Sequence, residues 1–183
     1  MIKAVLKYGL IILILFSVKV RAQQYTEYDL KAAYIYNFSK FVTWPPNTFR
    51  NQTSKFKIVI LGESPITSIL NKALKNRKIM GREISIQVIY QVDDLKDAQI
   101  LFVSKEMQNN LQSISDICLN QPILLIGDVI EGFCQAGGVI NFTEKSSKYR
   151  FEINNQVAQS SHLKISSKLL ALARIVSSEE IKF

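Results

Sequence analysis

The order of apolar and polar residues along the chain predicts six β-strands. Residues 56–61 form a run rich in β-branched side chains, which is typical of a strand. Residues 100–103 form a short, fully apolar run of the kind found in the middle of a sheet. Residues 83–90 alternate instead, with isoleucine or valine at every second position, which is typical of a strand with one buried face. The other predicted strands are residues 123–126, 139–142 and 149–153, the last two joined as a hairpin by a polar turn at 145–148.

Apolar residues spaced three and four apart predict helices between these strands. One runs from Ser64, a capping residue followed by proline, to about residue 76, and another from 104 to 119. A last helical region begins at Asn154 and is predicted to present one apolar face. The residues of that face are Ile165, Leu169, Leu172 and Val176.

The order of these elements predicts an α/β fold. Strands that alternate with helices favour parallel pairing, and the hairpin adds an antiparallel pair, so we expect a layered domain with a mixed, partly parallel β-sheet flanked by helices. Residues 23–183 contain neither a repeat nor a long Pro-rich or Gly/Ser-rich tract, and their length suits one domain. We therefore expect a single domain over residues 23–183.

A further helix, at the start of this domain, is apolar nearly all round. It carries an apolar stripe from Leu30 to Phe41 and stops before the pair of prolines that follows Trp44. Two interpretations stay open: packing on more than one side in the core, or a surface that a partner covers. For Trp44 the alternatives are an interface anchor held by the stiff exit loop and a lid on the core. The candidate partner interface comprises Tyr34, Phe38, Phe41, Trp44 and Pro45.

Residues 1–22 have the layout of a secretory signal peptide. Lysines precede an apolar run too short to span a bilayer, and small or modest residues lead to a predicted cleavage site after Ala22. The predicted location is therefore the periplasm. The whole chain has a net charge of +8, four of its basic residues lie within residues 1–22, and no basic run contains interleaved aromatic residues. We expect no binding to nucleic acid.

The residue types that carry catalysis are sparse. His162 is the only histidine, and no nucleophile elbow, close pair of metal ligands or glycine-rich phosphate loop is present. We therefore predict no catalytic, cofactor or metal site. Cys118 and Cys134 form an even pair in an oxidising compartment, and either a disulfide bond between them or two buried thiols would fit the sequence.

Polar residues follow three of the predicted strands at the point where each strand ends. If those strands are parallel, the loops after them lie along one sheet edge, the usual position for a ligand in such folds. The carboxylates at this edge would favour a cationic or hydroxylated ligand. The candidate ligand edge comprises Glu63, Ser64, Ser104, Lys105 and Asp128.

Several short motifs resemble the YfiR family over nearly the whole of residues 23–183. They appear in the family's order and spacing, and their combination is specific although each fragment alone is weak. The motifs are Lys31-Ala32-Ala33-Tyr34, Asn37-Phe38, Phe41, Trp44-Pro45, Leu61-Gly62, Gly81-Arg82, Ile100-Leu101-Phe102, Pro122-Ile123-Leu124, Gly137-Gly138, Arg150-Phe151-Glu152-Ile153-Asn154 and the run from Leu163 to Ala173.

The resemblance implies a non-enzymatic periplasmic regulator. Such a protein binds the periplasmic region of an inner-membrane diguanylate cyclase and represses it, which keeps cyclic di-GMP and biofilm formation low, and an OmpA-like outer-membrane lipoprotein relieves the repression. The resemblance also implies a homodimer and, separately, stabilisation of the fold by disulfides, although Val59 and Ala98 stand where relatives are expected to carry cysteine. The alternative function is a periplasmic small-ligand receptor that feeds a membrane sensor kinase.

Overall fold

The structure is a computed structural model that describes residues 26–144, 146–147 and 150–177. The predicted signal peptide and part of the predicted hairpin turn lie outside these residues. The strands are β1 (Val42–Thr43), β2 (Phe56–Leu61), β3 (Lys78–Ile79), β4 (Arg82–Ile89), β5 (Ile100–Val103), β6 (Leu124–Gly127), β7 (Ile140–Phe142), β8 (Phe151–Ile153), β9 (Lys164–Ile165) and β10 (Arg174–Ile175). The α-helices are α1 (Glu27–Phe41), α2 (Ile66–Ala73), α3 (Leu111–Cys118), α4 (Asn155–Ser160) and α5 (Ser167–Leu170).

An eight-stranded sheet in the order β10-β8-β7-β6-β5-β2-β4-β3 forms the centre of the fold. Strands β4, β2, β5, β6 and β7 run parallel to one another, whereas β8 is antiparallel to β7, and β3 is antiparallel to β4. At one end β10 pairs parallel with β8, and β1 pairs with β9 in a separate antiparallel ladder. The predicted α/β fold with a mixed, partly parallel sheet is confirmed.

The strands at the middle of this sheet follow directly from their composition. Every residue of β5 and β6 is buried, because a central parallel strand is covered on both faces, and neither strand carries a polar side chain. Strand β2 also coincides with its predicted range, and β4 begins and ends one residue earlier than predicted. The hairpin is present as β7 and β8, with Phe142 opposite Phe151.

The helices are shorter than the spacing predicted. Helix α2 begins at Ile66 rather than Ser64, and the Ser64 hydroxyl accepts a hydrogen bond from the Ile66 backbone N–H at 3.3 Å. The helix predicted from residue 104 begins as a 3₁₀ segment, Lys105–Asn110, and becomes α-helical only in α3.

The prediction of one long apolar helical face after Asn154 is wrong. The Asn154 side chain caps α4, which ends at Ser160, and the chain then forms β9, α5 and β10 in turn. Leu172 is exposed while Leu169 and Val176 are buried, so the three do not share a face. The backbone instead pairs with β1 and β8, and this non-local pairing overrides the helical spacing.

Helix α1 is fixed to one face of the sheet by aromatic contacts. A capping box between Thr26 and Asp29 starts the helix. The Phe38 ring is fully buried, with its centroid 4.9 Å from that of Phe151 and 5.9 Å from that of Phe142. Because Phe142 and Phe151 are opposite each other in the ladder, they point to the same face and form a platform for Phe38.

The side chain of Trp44 closes the core at the end of α1. It is 3% exposed, its Nε1–H donates to the Gln99 carbonyl at 3.3 Å, and its ring lies edge-on to Phe56 at 5.2 Å between centroids. The prediction that Trp44 and Phe38 belong to a partner interface is wrong for this fold, since burial leaves neither ring available. The alternative of a lid on the core is the observed one.

We expect Trp44→Ala to lower the free energy of unfolding by about 3–5 kcal/mol, because it leaves a cavity in a packed site. Equilibrium urea unfolding followed by far-UV circular dichroism measures this loss. Tyr90→Ala is the matched control, since Tyr90 is 63% exposed and should change stability by less than about 0.5 kcal/mol. An equal effect of the two substitutions would contradict the assignment of Trp44 to the core.

Candidate functional site

The fold brings the predicted ligand-edge residues to one edge of the sheet. Strands β2, β5 and β6 are adjacent and parallel, so the segments that follow them, containing Glu63 and Ser64, Ser104 and Lys105, and Asp128, lie at the same carboxyl edge. The ligand edge was predicted on the condition that these strands are parallel, and the structure meets that condition. The role of these residues toward a ligand stays a prediction.

Asp128, however, is occupied by side chains of α1. Its carboxylate is 2.5 Å from Lys31 Nζ and accepts a hydrogen bond from the Tyr28 hydroxyl at 3.2 Å. Lys31 Nζ is also 2.6 Å from the Glu27 carboxylate, one helical turn earlier. Lys31 and Asp128 are both buried, so this ion pair ties α1 to the sheet and removes Asp128 from an open site.

Both groups that contact Asp128 have shifted pKa values. Burial alone would lower the pKa of Lys31, but hydrogen bonds and charge interactions with Asp128 and Glu27 outweigh it, so the pKa is raised. The pKa of Tyr28 is raised by burial and by the negative charge of Asp128. A raised pKa in the folded state means that stability is lost as pH rises through the alkaline range.

The other residues of the candidate ligand edge differ in exposure. Glu63 and Lys105 are exposed, and Ser64 is half-buried. The Ser104 hydroxyl is buried and makes no hydrogen bond within the described part of the chain. The Glu63 backbone N–H donates to the Glu106 carboxylate at 2.5 Å, which ties the loop after β2 to the 3₁₀ segment after β5.

A second polar cluster, which the sequence analysis did not predict, lies on the face of β7 and β8 opposite to Phe142 and Phe151. Asn141 and Glu152 are buried and stand opposite each other in the ladder, with Asn141 Nδ2 3.3 Å from Glu152 Oε1. Arg174 of β10 forms an ion pair with Glu152. The signal available in the sequence was a polar residue in the middle of each hairpin strand.

A surface groove of about 990 Å³ opens over this cluster. It connects the cluster with the candidate ligand edge, because Lys105 is among its lining residues. Charged and amide side chains of its lining include Lys105, Gln108, Gln135, Glu152 and Arg174.

The outer face of α1 is an exposed, mostly apolar surface with one amide side chain at its middle. We call it the α1 stripe and define it as Leu30, Ala33, Tyr34, Asn37 and Phe41. These residues follow helical spacing, and all are exposed except Tyr34, which is half-buried. Of the predicted partner interface, the structure therefore leaves Tyr34 and Phe41 on this face, and Pro45 is half-buried beyond the helix. Leu30 and Tyr34 also line a small cavity of about 80 Å³ with Phe142.

Cys118 and Cys134 are free and buried in this structure, which corresponds to the alternative of two buried thiols, and a disulfide bond between them is not confirmed. The Cys134 sulfur points to the Val139 carbonyl at 3.7 Å, within the loop between β6 and β7. Burial raises the pKa of Cys118 to about 12 and also raises the pKa of Cys134. Both thiols are therefore protonated and poorly nucleophilic at neutral pH.

Among the residues that the structure describes, no three His, Cys, Asp or Glu side chains are grouped as a metal site would require. His162 is exposed, with a φ of 58°, in the turn after α4. No helix within the described ranges has the length and apolar character needed to cross a bilayer.

Breaking the buried ion pair should destabilise the protein strongly. We expect Lys31→Met to lower the free energy of unfolding by about 3–5 kcal/mol at pH 7, because it leaves the Asp128 carboxylate buried without its cation. Urea unfolding of this variant, compared with Lys40→Met, gives the measurement; Lys40 is exposed on the same helix. Adding Asp128→Leu to Lys31→Met should recover most of the lost free energy of unfolding, because no unpaired charge then stays buried. A double variant that is no more stable than Lys31→Met would contradict this account.

A family model described as YfiR/HmsC-like matches residues 28–174. A search of curated proteins found no match to the chain. The matched range begins in the first turn of α1 and ends at the first residue of β10, so it covers nearly all of the described fold, including the ion pair and the α1 stripe. The chain belongs to the YfiR/HmsC-like family.

Proposed function

We propose that this protein is a non-enzymatic regulator of the periplasm that binds the periplasmic region of an inner-membrane diguanylate cyclase and holds it inactive. Repression would lower cyclic di-GMP and biofilm formation, and an OmpA-like outer-membrane lipoprotein would relieve it by sequestering the regulator. Membership of the YfiR/HmsC-like family supports this proposal.

The single observation that carries the proposal is the exposed α1 stripe. Leu30 is 48% exposed and Phe41 36% exposed, at opposite ends of the same helix. Large apolar side chains aligned on a surface helix are costly in water, and partner proteins commonly cover them. A helix laid against a partner in this way uses residues at the spacing that the stripe shows.

The stripe is also held rigidly, which favours binding. The capping box fixes the start of α1, Lys31 pairs with Asp128 at its first turns, and Phe38 packs on the hairpin strands. A surface that is already ordered loses little conformational entropy when a partner binds.

We expect Leu30→Glu to weaken capture of the partner by at least about tenfold, because it places a charge in an apolar contact. The purified regulator would be titrated against membranes that contain the cyclase, with cyclic di-GMP synthesis as the readout. The stability of the variant should stay within about 0.5 kcal/mol of the wild type, since residue 30 is exposed.

Leu119→Glu is the matched control, because Leu119 is 62% exposed at the end of α3 and receives the same charge. The proposal predicts normal repression by this control. Full repression by Leu30→Glu, or equal loss in both variants, would count against the α1 stripe as the binding surface.

A second candidate function is a small-ligand receptor that feeds a sensor kinase. The groove over Glu152 and Arg174 favours it, because the groove is lined by cationic, anionic and amide groups next to the candidate ligand edge. Such a lining suits a polar ligand that carries both charges or several hydroxyl groups.

If this candidate is correct, one member of a panel of polar metabolites should raise the melting temperature of the wild type. Arg174→Met should abolish that shift, while Arg50→Met, a change at an exposed site elsewhere, should preserve it. A panel that shifts neither the wild type nor the control would remove the support for a receptor.

A further inference from the structure

The segment between α2 and β4 is basic and contains no acidic residue. Lys75, Arg77 and Lys78 of this segment are exposed, and together with exposed Lys40 of α1 they define what we call the basic face. The Tyr36 ring joins the two elements, because Lys40 Nζ lies 4.1 Å and the Arg77 guanidinium carbon 5.0 Å from its centroid. The basic face is therefore one continuous patch.

The charge of the basic face is not neutralised by the protein. Among the residues that the structure describes, none of its four cations forms an ion pair with a carboxylate. Glu83 lies in a shallow depression of about 510 Å³ that borders the face, but its carboxylate is 3.4 Å from Lys55 Nζ. A set of unneutralised cations on one face attracts an anionic surface.

An exposed methionine stands at the tip of the hairpin beside the basic face. Met80 and Gly81 alone join β3 to β4, with φ values of 51° and 75°, and a type I′ turn needs a positive φ at both positions. Met80 is 54% exposed, and a Cβ added at Gly81 would meet no heavy atom within 4 Å. The turn therefore projects into open space and carries an apolar side chain two residues after Lys78.

Methionine is an unusual residue for this turn position. Asn, Asp or Gly is the usual residue at the first centre of such a turn, because a positive φ strains most other side chains. Met80 therefore carries a cost in backbone strain, and its side chain also leaves apolar surface in water. Neither cost stabilises the single chain, so contact with an apolar partner is the better explanation of this residue.

We propose that the basic face and Met80 dock on a bilayer of anionic phospholipid. Lipid phosphates present a layer of negative charge to the four cations, and Met80 inserts between the headgroups into the apolar layer beneath them. An acidic protein would match the charge but has no continuous apolar layer under its charged groups, so the exposed methionine favours lipid. Leu74 and Ile79 are buried and hold the hairpin against the core, so its tip meets the bilayer already ordered.

Docking on lipid places the α1 stripe close to the membrane. Lys40 of the basic face directly precedes Phe41, the last residue of the stripe, on the same helix. A regulator held at the bilayer meets membrane-bound partners at a raised effective concentration. Only this consequence rests on the proposed function, because docking on lipid needs no protein partner.

Sedimentation of residues 23–183 with lipid vesicles measures docking directly. We expect binding to vesicles of phosphatidylethanolamine with about 30% phosphatidylglycerol at about 50 mM NaCl, and release at about 500 mM NaCl, where salt screens the charges. Vesicles of phosphatidylcholine alone, which carry no net charge, should bind the protein at neither salt concentration.

Two pairs of lysines separate the basic face from overall charge. Lys75→Gln with Lys78→Gln should weaken vesicle binding about 25-fold, since each basic residue near an anionic surface contributes about fivefold. Lys105→Gln with Lys168→Gln is the matched control and should weaken it less than about threefold, because distant charges are screened. Both control residues are exposed, and Lys168 precedes β10, at the opposite end of the sheet from β3.

Met80→Asn tests the apolar tip without disturbing the fold, because asparagine suits the turn. We expect its resistance to urea to match that of the wild type and its vesicle binding to be about fivefold weaker, since the inserted apolar contact is lost. Met80→Trp should show a blue shift of its fluorescence with anionic vesicles. The wild type is the control for that shift, because its only tryptophan is the buried Trp44.

The wild type failing to bind anionic vesicles would overturn the proposal, and so would equal losses in the two lysine pairs or full binding by Met80→Asn. Binding to soluble polyglutamate but not to vesicles would assign the basic face to an acidic protein and overturn the assignment to lipid. The vesicles contain no cyclase, so failure of this proposal is distinct from failure of the proposed function.

Discussion

The attachment of α1 to the sheet is the contact on which the rest of the structure depends. Phe38 packs on the ring pair that Phe142 and Phe151 form, and Lys31 reaches Asp128 at the carboxyl edge of β6. A buried lysine is stable only with its carboxylate, so this pair fixes the rotation of the helix about its axis as well as its position. Once the rotation is fixed, the α1 stripe has to face outward.

Fixing α1 divides the molecule into regions with different roles. The central strands β5 and β6 are buried throughout and serve as a scaffold, while exposed apolar or polar features lie on its periphery. The α1 stripe and the groove over Glu152 are adjacent surfaces, because Phe142 lines both the groove and the small cavity beside Leu30 and Tyr34.

Much of the sheet could be predicted from local sequence, because β2 and β5 are short, mostly apolar runs rich in β-branched residues, which favour a buried strand. The face of α1 could not be predicted in the same way. A helix that is apolar nearly all round gives no periodic signal for its buried side, and the deciding contact joins Lys31 to a residue 97 positions later. The helical prediction for the segment after Asn154 was wrong for a related reason. The conformation of this segment depends on pairing with β1 and β8, which are separate elements of the chain.

The most direct test of the central claim places a photocrosslinking amino acid at Asn37, in the middle of the α1 stripe, and illuminates intact cells. Asn37 is exposed, and its neighbours in the stripe are apolar. The account predicts a covalent adduct with an inner-membrane signalling protein, and no such adduct from the same probe at Leu119. An adduct only from position 119, or none from position 37 in cells where the cyclase is repressed, would contradict it.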